Sequence, residues 1–340
     1  MAANNDRPCA GRGATGIESW ILQECDPRPS SSAELLYEGM ESQSDRKLAV
    51  IYESLDRART GHWIDTAITS AFAEALRGAR TVLDIGPGDG WPSLRIADRF
   101  ERIVGIDPSP TRVRVQRENA ERLGIANVEF LEMDAVAMTF ENESFDGVVA
   151  ASSIEQTAEP GHALAEVFRV LRPGGAFAMI FEDYDECLAG TDGDERLSIE
   201  NRGSPSPRIR YVVRTRTPPR ERHYVLSLEP TKLDPEWPEE DGLALLEAVA
   251  SAITETRVFE LRHFTSGTVR AGLEDVGFER VRFLDHRFHA LRAAVSAAIE
   301  TERIDALAAA FPEAAGLVGA AAVRAAGAGP GDFVLASKPR

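Results

Sequence analysis

Three aspartates and three glycines carry the chemistry that this sequence advertises. The run Val82-Leu83-Asp84-Ile85-Gly86-Pro87-Gly88-Asp89-Gly90 reads as a strand entering a Gly-x-Gly-x-Gly turn. Glycine lets a backbone take positive φ and approach a ligand closely. A helix starting just after such a turn aims its amide dipole at that ligand. A dinucleotide fingerprint would put its third glycine at position 91, where Trp91 stands, and no phosphate-loop Lys-Ser/Thr follows. The turn therefore holds no phosphate-directed group. Asp107 closes the next β-branched run, Val104-Gly105-Ile106-Asp107, where a carboxylate can accept from two ribose hydroxyls. Asp134 follows the strand at Phe130–Leu131, placed to accept from an exocyclic amine. Acids at three successive strand ends suit a cationic, nucleoside-type ligand better than a pyrophosphate one. Ligands of open α/β sheets bind at that carboxyl edge.

The elements that must position these residues alternate in type. Short β-branched runs lie at Thr81–Ile85, Ile103–Ile106, Val128–Leu131, Phe145–Ala150 and Ala176–Phe181. Helical spacing lies between them at Pro92–Phe100, Pro110–Leu123 and Gly161–Leu171, and again at Thr265–Val276, ended by Gly277. Strands at Phe278–Leu284 and Phe333–Ser337 complete the pattern. Strand–helix alternation of this kind predicts an α/β fold, a Rossmann-like doubly wound parallel sheet covered on both faces. Residues 1–32 are polar and read as a flexible arm, and residues 33–77 carry helical periodicity as an N-terminal extension. The cofactor core spans 78–182. An insertion follows at 183–262, with a hairpin (Ile209–Thr215 and Tyr224–Leu228) and a helix (Gly242–Thr256), and reads as a substrate cap. Residues 263–340 return to the core, with a helical insertion at 287–329.

With 340 residues, 43% of them apolar, the chain can build a full-sized core. It contains no apolar run of about eighteen residues, so no membrane span is expected. Residues 1–16 lack the apolar stretch of a signal peptide. Cys9, Cys25 and Cys187 are too far apart for a disulfide framework or a zinc site, and a reduced, cytoplasmic setting is expected. Net charge is −17, which disfavours a nucleic-acid partner. Against that field, residues 196–222 hold eight arginines and two acids, a local +6. Pairing with acids elsewhere is one reading; recognition of an anionic substrate is the other.

As a set, several segments between residues 80 and 182 resemble the class I S-adenosylmethionine-dependent methyltransferases. They are Asp84 to Gly90, Gly105-Ile106-Asp107-Pro108-Ser109, Met133-Asp134-Ala135, Phe145-Asp146-Gly147-Val148-Val149 and Val170-Leu171-Arg172-Pro173-Gly174-Gly175. Gly277-Phe278 and Phe333 to Pro339 resemble the family's closing elements, which implies a seven-stranded sheet with an antiparallel last strand. The resemblance implies S-adenosylmethionine as cofactor and S-adenosylhomocysteine as product. It implies that Asp84, Gly86, Pro87, Gly88 and Gly90 hold the methionine moiety. Asp107 would take the ribose, Pro108 flank the adenine, and Asp134 with Ala135 read the adenine edge. Ala151 or Ser152 would meet the methionine amino group. No Asn-Pro-Pro-Tyr or Asp-Pro-Pro-Tyr follows the fourth strand, where Ala151-Ser152-Ser153-Ile154-Glu155-Gln156 stands, so methylation of an exocyclic adenine nitrogen is disfavoured.

In-line methyl transfer asks mainly for alignment and exclusion of water, and no catalytic constellation stands out. Glu155, Gln156, Asp183, His223 and His263 are the candidates for a proton transfer. His286 and His289 adjoin Asp285 without a clear third ligand, and no metal is expected. The reading is a methyltransferase for a small-molecule acceptor, with an anionic one allowed and the O, N or C acceptor atom open. A homodimer is compatible with it. Two alternatives are a methyltransferase acting on RNA or protein through the arginine-rich hairpin, and a regulator that binds S-adenosylmethionine without catalysis.

Overall fold

The computed structural model describes residues 16–30, 60–200, 207–229, 242–310 and 313–340. Helix α1 (Gly16–Glu24) and strand β1 (Arg28–Pro29) come first. Helix α2 (Thr60–Ala75) leads into β2 (Thr81–Ile85), α3 (Ser93–Ile96), β3 (Arg102–Asp107), α4 (Pro110–Leu123), β4 (Val128–Glu132), β5 (Phe145–Ala151), α5 (Pro160–Val170) and β6 (Leu171–Ile180). Next come α6 (Tyr184–Cys187), β7 (Gly193–Glu200), β8 (Arg208–Thr215), β9 (Arg220–Leu228), α7 (Gly242–Val249) and β10 (Ile253–Arg262). The chain ends through α8 (Ser266–Val276), β11 (Glu279–Leu284), α9 (His289–Glu300), α10 (Ile304–Ala310), α11 (Ala314–Ala325) and β12 (Phe333–Ser337).

These elements form two units, one of residues 36–183 and 264–340, the other of residues 1–35 and 184–263. The larger unit is built on a seven-stranded sheet of order β11-β12-β6-β5-β2-β3-β4. Strands β6, β5, β2, β3 and β4 run parallel, and β12 runs antiparallel to both of its neighbours. The expected seven-stranded sheet with an antiparallel last strand is therefore present. Its central strands read as continuous apolar runs because both faces are covered. Leu83, Ile85, Val148 and Ala150 face one core with Leu164 and Val167 of α5 and Leu273 of α8. Val82, Val149 and Ala178 point the other way, onto Phe72 of α2 and Val323 of α11. Gly124, in the left-handed conformation, closes α4, and Thr265 opens α8 with a capping box.

The smaller unit is a five-stranded sheet of order β1-β10-β9-β8-β7. Tyr224, Leu226 and Leu228 of β9 pack on Ile17 and Ile21 of α1 and on Leu245 and Leu246 of α7. Two expectations change here. Residues 16–30, read as part of a flexible arm, are ordered: α1 buries Ile17 and Ile21, and β1 pairs in parallel with Arg257 and Val258 of β10. The helix expected over 242–256 stops at Val249, and Ile253–Arg262 forms a strand instead. β-branched Ile253, Thr254, Thr256 and Val258 fit a pleated ladder against β9 better than a helix. Strand β7 went unread in the sequence. Residues 33–59 of the expected helical extension, and Arg202 of the arginine run, lie outside the described residues. Among the described residues no helix is long and apolar enough to cross a membrane.

The larger core can be tested at Phe333, which is fully buried in β12 with its ring 4.8 Å from that of Phe72. Phe333→Ala removes a large side chain from a site with little room to collapse. The expected loss is about 3–5 kcal/mol of unfolding free energy, read from the denaturant midpoint. A loss under about 1 kcal/mol would contradict this packing.

Candidate cofactor site

Register places the predicted residues on one edge. Asp84 of β2 pairs with Gly105 of β3, and Asp107 pairs with Glu132 of β4, so Asp134 lies two residues past the end of the next strand. β5 runs parallel on the other side of β2 and ends at Ala151, beside Ser152. Asp84, Gly86, Pro87, Gly88, Gly90, Asp107, Pro108, Asp134, Ala135 and Ser152 thus all sit at or just past the carboxyl ends of four adjacent strands.

The turn has the conformation its glycines permit. Gly86 has φ of +66° and donates its N–H to the Ile106 carbonyl at 2.8 Å. A Cβ there would fall 2.5 Å from that of Ser153 in the loop after β5. Gly88 has φ of +57° and open space where a Cβ would be. The Pro87 carbonyl accepts from both Gly90 (2.7 Å) and Trp91 (2.9 Å), closing the turn.

Asp84 lies beneath this turn without solvent exposure. Its Oδ2 accepts from the Ser93 hydroxyl (2.5 Å) and backbone N–H (3.1 Å), while Oδ1 is buried with no hydrogen-bond partner among the described residues. Burial pushes its carboxyl up to about 7 against those hydrogen bonds. Asp107 accepts from the Ser109 N–H at 3.0 Å and faces Gln116 Nε2 at 3.4 Å. Burial pushes it up to about 6, with the Ser109 N–H and the Arg112 charge opposing. Asp134 is exposed and accepts from the Val136 N–H at 3.0 Å, while Ala135 is buried. Ser152 is exposed, with φ of +49°.

Sequence reasoning missed the groups that hold the turn from outside. One face of α4 carries Arg112, Gln116 and Asn119. Gln116 donates to the Gly88 carbonyl (2.8 Å), Asn119 donates to the Asp89 carbonyl (2.7 Å), and Arg112 pairs with the Asp89 carboxylate. The available signal was a polar trio at i, i+4 and i+7 on the helix after Asp107. Across the turn, Trp91 Nε1 donates to Asp65 Oδ1 of α2 at 2.5 Å.

The candidates for proton transfer separate. Glu155 is buried after β5; its Oε1 accepts from the Glu182 N–H at 3.4 Å, Oε2 has no partner, and burial pushes it up to about 7. Gln156 is exposed and donates to the Ser152 carbonyl. Asp183 is buried, and its carboxylate accepts from the backbone N–H and hydroxyl of Ser266, which fastens the end of β6 to the start of α8. His223 and His263 belong to the smaller unit, where Glu221 bonds His223 Nε2 at 2.5 Å and Tyr184 Oη at 2.7 Å and lies 3.5 Å from His263 Nε2. Burial would raise Glu221, yet those partners hold it down to about 2; burial lowers His263 to about 4.

The arginine run is largely neutralised within its own unit. Arg210 pairs with Glu200, Arg214 with Asp194, Arg216 with Asp185, Arg220 with Glu260, and Arg222 with both Glu18 and Glu260. His286 and His289 face Asp332 and Asp285 separately, and among the described residues no group of three or more His, Cys, Asp or Glu is arranged for a metal ion.

Residues 83–179 match a family model described as a methyltransferase domain. A chloroplastic 2-methyl-6-phytyl-1,4-hydroquinone methyltransferase 2 of Oryza sativa subsp. japonica is 32% identical over 139 residues, covering 40% of this chain and 38% of that one. A demethylmenaquinone methyltransferase of Thermus thermophilus is 33% identical over 120 residues, 35% of this chain and 53% of its own. The chain thus spans about half the length, or less, of the curated relatives it matches. S-adenosylmethionine-bound CalS10, an amino pentose methyltransferase from Micromonospora echinaspora, aligns with a TM-score of 0.42 at 19% identity, over 73% of this chain and 91% of that one. Residues 83–179 thus form a methyltransferase domain similar to those of the class I S-adenosylmethionine-dependent methyltransferases.

Proposed function

We propose that the protein transfers a methyl group from S-adenosylmethionine to a small-molecule acceptor. The observation that carries this reading is the unsatisfied buried acid under the glycine turn. Among the described residues Asp84 Oδ1 and Gln116 Oε1 are both buried without partners, where buried polar atoms in folded proteins ordinarily find one. Cationic and hydroxyl donors of the cofactor are the groups that such acceptors fit. In this reading Asp84 and the Gly86–Gly90 backbone hold the methionine end, and Asp107 accepts from the ribose. Asp134 and Ala135 border the adenine, flanked by Pro108, and Ser152 lies toward the amino group. When bound, the cofactor supplies an activated methyl group. The chain's own residues then bind, orient and exclude water.

The relatives support a small acceptor, since a phytyl hydroquinone and a demethylmenaquinone, after which they are named, are both small molecules. The pairing of the arginine run supports it too. Guanidinium groups already bonded to carboxylates offer little to a phosphate backbone, whose affinity comes from unpaired cations. Transfer of label from methyl-labelled S-adenosylmethionine tests the acceptor class. Incubation with extract should label the small-molecule fraction, and label confined to protein or RNA would overturn this choice.

Two further outcomes follow from the acids. Asp107→Ala is expected to weaken S-adenosylhomocysteine binding about ten- to hundredfold in calorimetry, the range for a lost charge-assisted hydrogen bond; unchanged affinity would remove Asp107 from the site. Proton linkage gives the second. An unfolded Asp titrates near 3.8 and folded Asp84 near 7, so the folded chain holds that proton across the interval. Its contribution to stability is present below about 4 and is lost as pH rises through about 7. The melting temperature of Asp84→Asn relative to the parent, whatever its offset, should therefore increase from pH 4 to pH 8. A difference that stays constant would contradict the buried, protonated state.

A further inference from the structure

The position at which this turn departs from a dinucleotide fingerprint is also the position at which it is fastened. Trp91 is half-buried and packs into two hydrophobic clusters, with its indole edge-on to Phe72 at 6.0 Å and 76°. Its backbone N–H closes the glycine turn on the Pro87 carbonyl. Its indole N–H ends on Asp65, a residue of α2 that is only 8% exposed. The second oxygen of that carboxylate lies 3.3 Å from Arg95 Nε, one turn of chain beyond Trp91. A single buried carboxylate thus holds two points of the segment 91–95 that the glycine turn runs into.

We propose that Asp65 is a positioning residue for the cofactor turn, acting through the Trp91 indole and the Arg95 guanidinium. The proposal rests on the reading of Gly86–Gly90 as a cofactor cradle. Three glycines with positive φ make that backbone costly to order, because glycine loses the most freedom on fixing. Fastening the far end before the ligand arrives leaves less of that cost for binding to meet. On the near side Gln116 and Asn119 already hold the Gly88 and Asp89 carbonyls. Asp65 supplies the opposing hold. It does so from a helix that precedes the core strands in the chain and carries none of the family's motif segments.

The test is calorimetric binding of S-adenosylhomocysteine by the full chain. Asp65→Ala should raise Kd about tenfold or more, and Asp65→Asn, whose amide oxygen can still accept the indole N–H, should recover part of that loss. Val295→Ala, at a fully buried site packed with Trp63, Ala308 and Ala315, serves as a destabilised control and should stay within twofold of the parent. Should Asp65→Ala not fold, Trp91→Phe keeps a six-membered aromatic ring at that position and removes the indole N–H donor together with the pyrrole ring that carries it. It should weaken binding severalfold, and combining it with Asp65→Asn should add little. Indole N–H resonances give a reading independent of stability: the signal lost in Trp91→Phe should move in the parent on ligand addition and on Asp65→Asn. The proposal is overturned if Asp65→Ala and Trp91→Phe both bind within twofold of the parent, or if Val295→Ala loses affinity to the same extent. Absence of binding by the parent would instead bring down the cofactor reading itself.

Discussion

A carboxylate with no access to water is the constraint around which the larger unit is organised. Asp84 stands near the end of β2, the middle one of the five parallel strands, where both flanking strands are parallel and both faces are covered. An ion there is expensive unless its lone pairs are met. Ser93 meets one oxygen, and nothing among the described residues meets the other. The glycine turn, the short helix behind it and the polar face of α4 enclose this carboxylate. Asp107 repeats the theme one strand over, with less burial and more compensation.

How much of this was legible in the sequence follows from the range of the interactions involved. Strand ends and glycine turns are local, and β2, α4 and β12 coincide with the runs read for them because β-branched periodicity, a Ser109 cap with Pro110, and a left-handed Gly124 act over a few residues. The parallel run of the sheet followed from its strand–helix alternation, and the seven strands with an antiparallel last one followed from the family likeness. The smaller unit was less legible. Its β7, Gly193 to Glu200, carries three consecutive charged residues, Asp194, Glu195 and Arg196, and holds only Leu197 and Ile199 as large apolar residues, so it lacks the apolar signal of a core strand. The ending of α7 at Val249 depends on a partner strand some thirty residues earlier. Long-range side-chain bonds were invisible for the same reason. Nothing near Asp65 in the chain announces that its partner is an indole 26 residues away.

Charge also needed the fold before it could be interpreted. A local +6 within an acidic chain looks like a recognition surface when read as a string. In the folded unit most of these arginines meet an acid across a neighbouring strand or from a helix, and the hairpin is a lattice of ion pairs with Glu18 drawn in from the N-terminal segment. Surface pairs of this kind contribute little stability each. They do fix which strands lie side by side, because like charges placed opposite one another would be penalised.

The parallel bridge between Asp183 and Phe264 sets the chain's point of departure from the core beside its point of return. A segment whose two ends meet in this way can lengthen, shorten or be exchanged over evolutionary time while the sheet stays intact. In this protein, however, the module is not self-sufficient. Ile17 and Ile21 complete its apolar core, and Arg28 and Pro29 extend its sheet. Residues at the very start of the chain and residues near its middle are therefore inherited as one object. Losing residues 16–29 would take two isoleucines from that module's core and one strand from its sheet.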